Sequence, residues 1–156
     1  MPQKLGKPLQ NSIGGQTIPV LSVSPVRNDH TTLERLLPQP QWCVYRADTV
    51  QSALKLLRTL RPGPVVVCER DMLPGLWQEL LAETGSLPEP PSIVVASRLA
   101  DDHLWAEALN LGAYDVLAKP FDVLELTRSL RLAWLHAQGQ QEMSGPLPEV
   151  MVAGAA

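Results

Sequence analysis

Five short apolar runs, each followed by an amphipathic stretch, constrain this chain more than any other feature. The runs are IPVLSV (Ile18–Val23), WCVYRA (Trp42–Ala47), VVVC (Val65–Cys68), SIVVAS (Ser92–Ser97) and DVLA (Asp115–Ala118). After the first, Asn28 or Asp29 is placed to cap a helix carrying Leu33, Leu36 and Leu37 on one face. After the second, Asp48 and Gln51 have capping-box spacing, and Val50, Ala53, Leu54 and Leu57 follow the i, i+3, i+4, i+7 pattern. Arg61-Pro62-Gly63-Pro64 stops that helix. Trp77, Leu80, Leu81 and Thr84 repeat the stripe before Gly85. Asp101 or Asp102 caps a helix with Leu104, Ala108 and Leu111 inward, closed by Gly112. Asp122 caps the last, whose buried face is Leu126, Leu130, Ala133 and Trp134.

Strands of nearly continuous Val, Ile and Leu alternating with helices require a parallel sheet covered on both faces. The expectation is an α/β fold, a doubly wound three-layer sandwich of five β–α units with right-handed crossovers. Working groups in such folds gather beyond the C-terminal ends of the strands. Here those ends are Ser24-Pro25, Ala47-Asp48, Glu69-Arg70-Asp71, Ser97-Arg98 and Lys119-Pro120.

A length of 156 residues fits one domain. Residues 1–16 and 140–156 read as polar, Gly- and Pro-containing tails flanking a folded unit over 17–139. Thirteen Lys and Arg against sixteen Asp and Glu give a net charge of −3, which argues against a nucleic-acid surface. Cys43 and Cys68 lack CxxC spacing and sit in apolar runs, as reduced core thiols do. His30, His103 and His136 form no ligand set and are expected at surface or helix positions. No apolar segment approaches a membrane span, and the N-terminus has no signal-like apolar region. The expectation is a soluble, cytoplasmic protein.

The segment IVVASRLADDHLWAEALNLGAYDVLAKPF carries a specific resemblance. Ser97 closes the fourth strand, ALNLGAYDVL follows, and Lys119-Pro120-Phe121 lies 22 residues after Ser97 (119 − 97). In this order on five β–α units, the chain resembles the CheY-like receiver domain of bacterial response regulators. The resemblance covers about residues 18–138. It implies a signalling module of two-component or phosphorelay systems rather than an enzyme, and no cofactor. It also implies that Ser97 and Lys119 stand where the family engages phosphoryl oxygens, and that Pro120 is a candidate cis-proline.

Two departures stand out. The resemblance implies an acidic pair after strand one to bind Mg²⁺, but Ser24 and Pro25 occupy that place, so no metal site is expected. It implies a nucleophilic Asp after strand three. Counting from the Val run places Glu69 there, whereas counting back from Pro74 places Arg70 there. The unbroken apolar run ending in Cys68 favours Glu69. Glu69 then either pairs with Lys119 and imitates a partly activated state, or is a solvated edge charge contributing ~0–1 kcal/mol.

The reading is therefore a degenerate receiver that acts by protein–protein interaction. The helix 4–strand 5–helix 5 face, with Trp105, Leu109 and Val116, is the expected interaction surface. A protein partner, a second copy of the chain or a histidine kinase are the candidates; nucleic acid and membrane are not expected. One alternative is an active receiver that uses Glu69 or Asp71 as phospho-acceptor. Another is a small flavodoxin-like nucleotide-binding module, but no strand–helix junction carries a Gly-rich phosphate loop.

Overall fold

The computed structural model describes residues 16–71 and 75–144. Five strands alternate with five helices: β1 (Ile18–Val23), α1 (Arg27–Leu36), β2 (Trp42–Ala47), α2 (Val50–Thr59), β3 (Val65–Glu69), α3 (Leu76–Gly85), β4 (Ile93–Ser97), α4 (Asp102–Asn110), β5 (Asp115–Ala118) and α5 (Val123–Ser144). All strand pairs are parallel, in the order β2-β1-β3-β4-β5. The three-layer α/β architecture expected from the periodicity is present.

Side-chain alternation divides the core in two. Leu21, Val23, Val66, Cys68, Val95 and Val116 point to one side, where they meet α2, α3 and α4. Val20, Val65, Val67, Val94, Ala96 and Leu117 point to the other, where Leu33 and Leu37 of the α1 region and Leu126, Leu130, Ala133 and Trp134 of α5 cover them. The period of two along each strand makes one face impossible to exchange for the other without moving the whole apolar set. By the same parity Glu69 continues the Val65, Val67 series and points toward the α1 side.

Several local expectations are corrected. Helix α1 starts at Arg27 with Val26 at its N-cap and no side-chain cap, so neither Asn28 nor Asp29 serves there. The α2 cap is Thr49, in a reciprocal box with Ser52, because its hydroxyl reaches the Ser52 N–H at 3.0 Å. Asp48 instead turns outward to His30. Asp101 rather than Asp102 caps α4, accepting from the Leu104 N–H at 2.9 Å. Leu111 follows the last helical residue of α4, where the helical stripe no longer applies, and is 46% exposed. Gly112 then turns the chain at φ +107°, a conformation that disfavours any Cβ. Helix α5 runs five residues past Gly139, which costs a helix only about 1 kcal/mol and is followed by good helix formers. The expected N-terminal tail up to residue 15, and the C-terminal one from 145, lie outside the described residues. So does Pro74, from which one register was counted.

Candidate functional site

The C-terminal edge of the sheet gathers the polar side chains that the apolar strands exclude from the core. Glu69, the last residue of β3, is only 3% exposed. Its Oε1 pairs with the Lys119 ammonium, and its Oε2 accepts the Asp71 N–H at 2.7 Å. Glu69 is therefore not a solvated edge charge. The Arg70 side chain is 36% exposed, and among the described residues its carboxylate contact is to Asp71, at 3.8 Å. Strand parity explains the choice between the two registers. A residue that continues the Val65, Val67 series faces Lys119, and its neighbour does not.

Burial pushes the Glu69 carboxyl up from its ordinary range; the Lys119 ammonium and the Asp71 N–H oppose this, and Asp29 adds to it. Lys119 also reaches Asp29 Oδ1 at 3.4 Å, and Asp29 Oδ2 accepts from the Ser24 hydroxyl at 2.5 Å. Asp29, expected as a helix cap, instead joins the strand-one edge to Lys119. Ser24 Oγ accepts the Val26 N–H at 3.0 Å. Ser24 thus satisfies the backbone where the resemblance implies carboxylates. The Lys119–Pro120 peptide bond is cis.

The strand-four edge is tied in separately. Ser97 is fully buried and donates its hydroxyl to Asp71 Oδ1 at 2.6 Å, while accepting the Leu99 N–H at 2.9 Å. Asp71 Oδ2 accepts the Arg98 N–H at 2.9 Å. Burial alone would raise the Asp71 carboxyl, but the Ser97 hydroxyl and the Arg98 N–H, with smaller help from Glu69 and the Lys119 charge, hold the group below its ordinary range. A cavity of about 440 Å³ opens beside Glu69 and Lys119, between α1 and the strand ends, with Asn28, Asp29, Arg98 and Phe121 in its wall.

His30 was missed by sequence reasoning. It lies on helix α1, one of the two expected placements, but is 2% exposed rather than at the surface. Its Nδ1 lies 2.8 Å from Ser22 Oγ, and its Nε2 lies 3.0 Å from the Ser24 carbonyl and 3.2 Å from Asp48 Oδ1. Two acceptors around Nε2 place the proton there, so Nδ1 accepts from the Ser22 hydroxyl. Its position one turn into α1, three residues before Leu33, is the only signal in the sequence that it faces inward.

His103 and His136 are exposed, and the His136 ring lies 5.2 Å from that of Tyr114. Both cysteines are free, Cys68 buried and Cys43 half-buried. Of the expected interaction surface, Trp105 is 49% exposed and Leu109 half-buried. Val116 is a correction: its β5 parity turns it into the core under α4, and it is only 6% exposed. Among the described residues no cluster of His, Cys, Asp and Glu is arranged to hold a metal ion. No described helix is long and apolar enough to cross a membrane.

Several solved structures that share this architecture are named as response regulators or receiver domains. The signal receiver domain of an HD domain-containing protein from Pseudomonas fluorescens matches with a TM-score of 0.67 at 26% identity, over 85% of this chain and 96% of its own. The fold is that of response-regulator receiver domains. Full-length FixJ from B. japonicum gives a TM-score of 0.69 at 27% identity over 81% of this chain; the match spans 63% of FixJ. The chemotaxis response regulator CheY4 of Vibrio cholerae gives 0.64 at 19% identity, over 76% of this chain and 99% of its own. No family model and no curated protein matches the sequence.

Proposed function

We propose that this chain is a degenerate receiver domain of two-component or phosphorelay signalling. In this reading it binds protein partners and does not take a phosphoryl group on an Asp. One observation carries the reading. Glu69 stands at the β3 end where the resemblance implies a nucleophilic Asp, and both its oxygens are already engaged, by Lys119 and by the Asp71 N–H. Phosphoryl transfer relies on electrostatic stabilisation, much of it from a cation. Ser24 and Pro25 supply no carboxylate for one, and Lys119 already balances part of the local negative charge. Glu69 then imitates, without chemistry, part of an activated arrangement.

Interaction is the remaining route of output. Helix α4 exposes Trp105, Leu111 follows it, and α5 exposes Leu124, Leu132 and Leu135 at 46–76% together with Leu111. Apolar side chains exposed to this degree suit a partner protein or a second copy of the chain. Placement in the cytoplasm, beside a histidine kinase or its relay, follows from the same reading.

Titration with Mg²⁺ and then beryllofluoride, followed through tryptophan fluorescence, tests it. Trp77, buried in the first turn of α3, reports on the strand-three edge. No change in the folded protein is the expected result. A saturable Mg²⁺-dependent change overturns the proposal in favour of an active receiver that uses Glu69 or Asp71.

A further inference from the structure

Four hydrogen-bond donors converge on the strand-three and strand-four edges: the Lys119 ammonium, the Asp71 N–H, the Ser97 hydroxyl and the Arg98 N–H. Two carboxylate oxygens from Glu69 and two from Asp71 answer them, and Asp29 Oδ1 lies 3.4 Å from Lys119 as a further acceptor. Donors converging in this way suit an oxyanion, yet here the chain supplies the anion itself.

We propose that Asp71 is a tethered ligand: its carboxylate occupies the Ser97 and Arg98 donors in place of a free oxyanion and holds the β3 and β4 edges in one fixed arrangement. This deepens the degenerate-receiver reading and rests on its assignment of Ser97 as a phosphoryl-contact equivalent.

Three features support it. The contact joins residues 26 apart in sequence, so it fixes two loops relative to each other. It is double, one bond to a side chain and one to the backbone, which sets the carboxylate plane as well as its position. The Ser97 hydroxyl is oriented from its other side by the Leu99 N–H, so it has one remaining proton to give and gives it to Asp71. A covalently attached carboxylate loses no translational freedom on binding, and a free anion competing for these donors starts at that disadvantage. The arrangement that a ligand would induce in such a site is then present without one.

The test is amide hydrogen exchange on the full chain, read by NMR at Arg98 and Leu99. In Asp71→Ala both amides are expected to exchange about tenfold faster, while core amides such as those of Val66 and Leu80 keep their wild-type rates. Added formate, an untethered carboxylate, is expected to restore their protection in a saturable way, and chloride is not. Asp71→Asn keeps the shape and one acceptor, and is expected to give a smaller acceleration if the alanine variant folds poorly. Unchanged Arg98 exchange in either folded variant overturns the proposal. So does acceleration that formate fails to reverse, which would make Asp71 an ordinary loop contact. A positive beryllofluoride response in the wild type, by contrast, bears on the proposed function and leaves the exchange result to be read on its own.

Discussion

Lys119 and Glu69 form an ion pair across the C-terminal edge of the sheet, between side chains 13% and 4% exposed. The pair links β5 to β3 over 50 residues of sequence. Desolvation makes such a pair a weak source of net stability, yet makes the loss of one partner expensive. Lys119→Met is therefore expected to destabilise the protein by about 3–5 kcal/mol at neutral pH, since Glu69 is left buried without its counter-ion. Adding Glu69→Gln should recover part of that loss. Urea unfolding of the two single variants and the double variant measures the coupling directly.

The same pair has a pH signature. Burial raises the Glu69 carboxyl above its ordinary 4.5, so the folded state binds this proton more readily than the unfolded state does. Stability from this group is full below pH 4.5 and is lost as pH rises through the raised folded value. Asp71 has the opposite sign. Its folded value lies below 3.8, so its contribution is present above that pH and is lost as pH falls through the lowered value. Relative to wild type, Glu69→Gln should thus look more stable as pH rises from 4.5 toward neutrality. Asp71→Asn should lose its disadvantage only in stronger acid. Urea midpoints of the three proteins across pH 3–8 separate the two trends.

His30 offers a third prediction. It is buried, and its two ring nitrogens are partnered by Ser22, Ser24 and Asp48. His30→Ala removes the ring and leaves the Ser22 hydroxyl and the Ser24 carbonyl without partners. A loss of about 2–4 kcal/mol is expected from the cavity and the unmade bonds. Asp48 is 76% exposed at its side chain, so Asp48→Asn should change stability by well under about 1 kcal/mol. Thermal unfolding of both variants checks the contrast. A ¹⁵N spectrum showing the proton on Nδ1 would contradict the hydrogen-bond arrangement.

The fold was legible because it rests on periodicity. Leu126, Leu130, Ala133 and Trp134 are buried together on α5, as their spacing requires, and so are Val50, Ala53, Leu54 and Leu57 on α2. Glu69 was legible for a related reason, since the apolar run of β3 ends beside it. Features set by loops were not. Asp29 has the composition of a cap but the position of a bridge to Lys119, which depends on how the β1–α1 turn runs. The Asp71–Ser97 contact depends on the path after β3, and no spacing rule encodes it. Val116 was misplaced because a side chain's face on β5 depends on register with β4, where Val116 pairs with the inward-facing Val95.

Trp105 gives the last prediction, and it bears on output. Trp42, Trp77 and Trp134 are 2–7% exposed, whereas Trp105 is 49% exposed on α4. Acrylamide should therefore quench one class of tryptophan readily and the rest poorly. Trp105→Phe should remove the accessible class with a stability change within about 0.5 kcal/mol, as expected of a surface position. If α4 contributes to association, the accessible class should lose its quenching as protein concentration rises or as a partner is added. Trp105→Asp should then shift the sedimentation profile toward the monomer, because a charge in an apolar contact is costly to desolvate. Concentration-independent quenching together with an unchanged profile for Trp105→Asp would place self-association elsewhere on the surface.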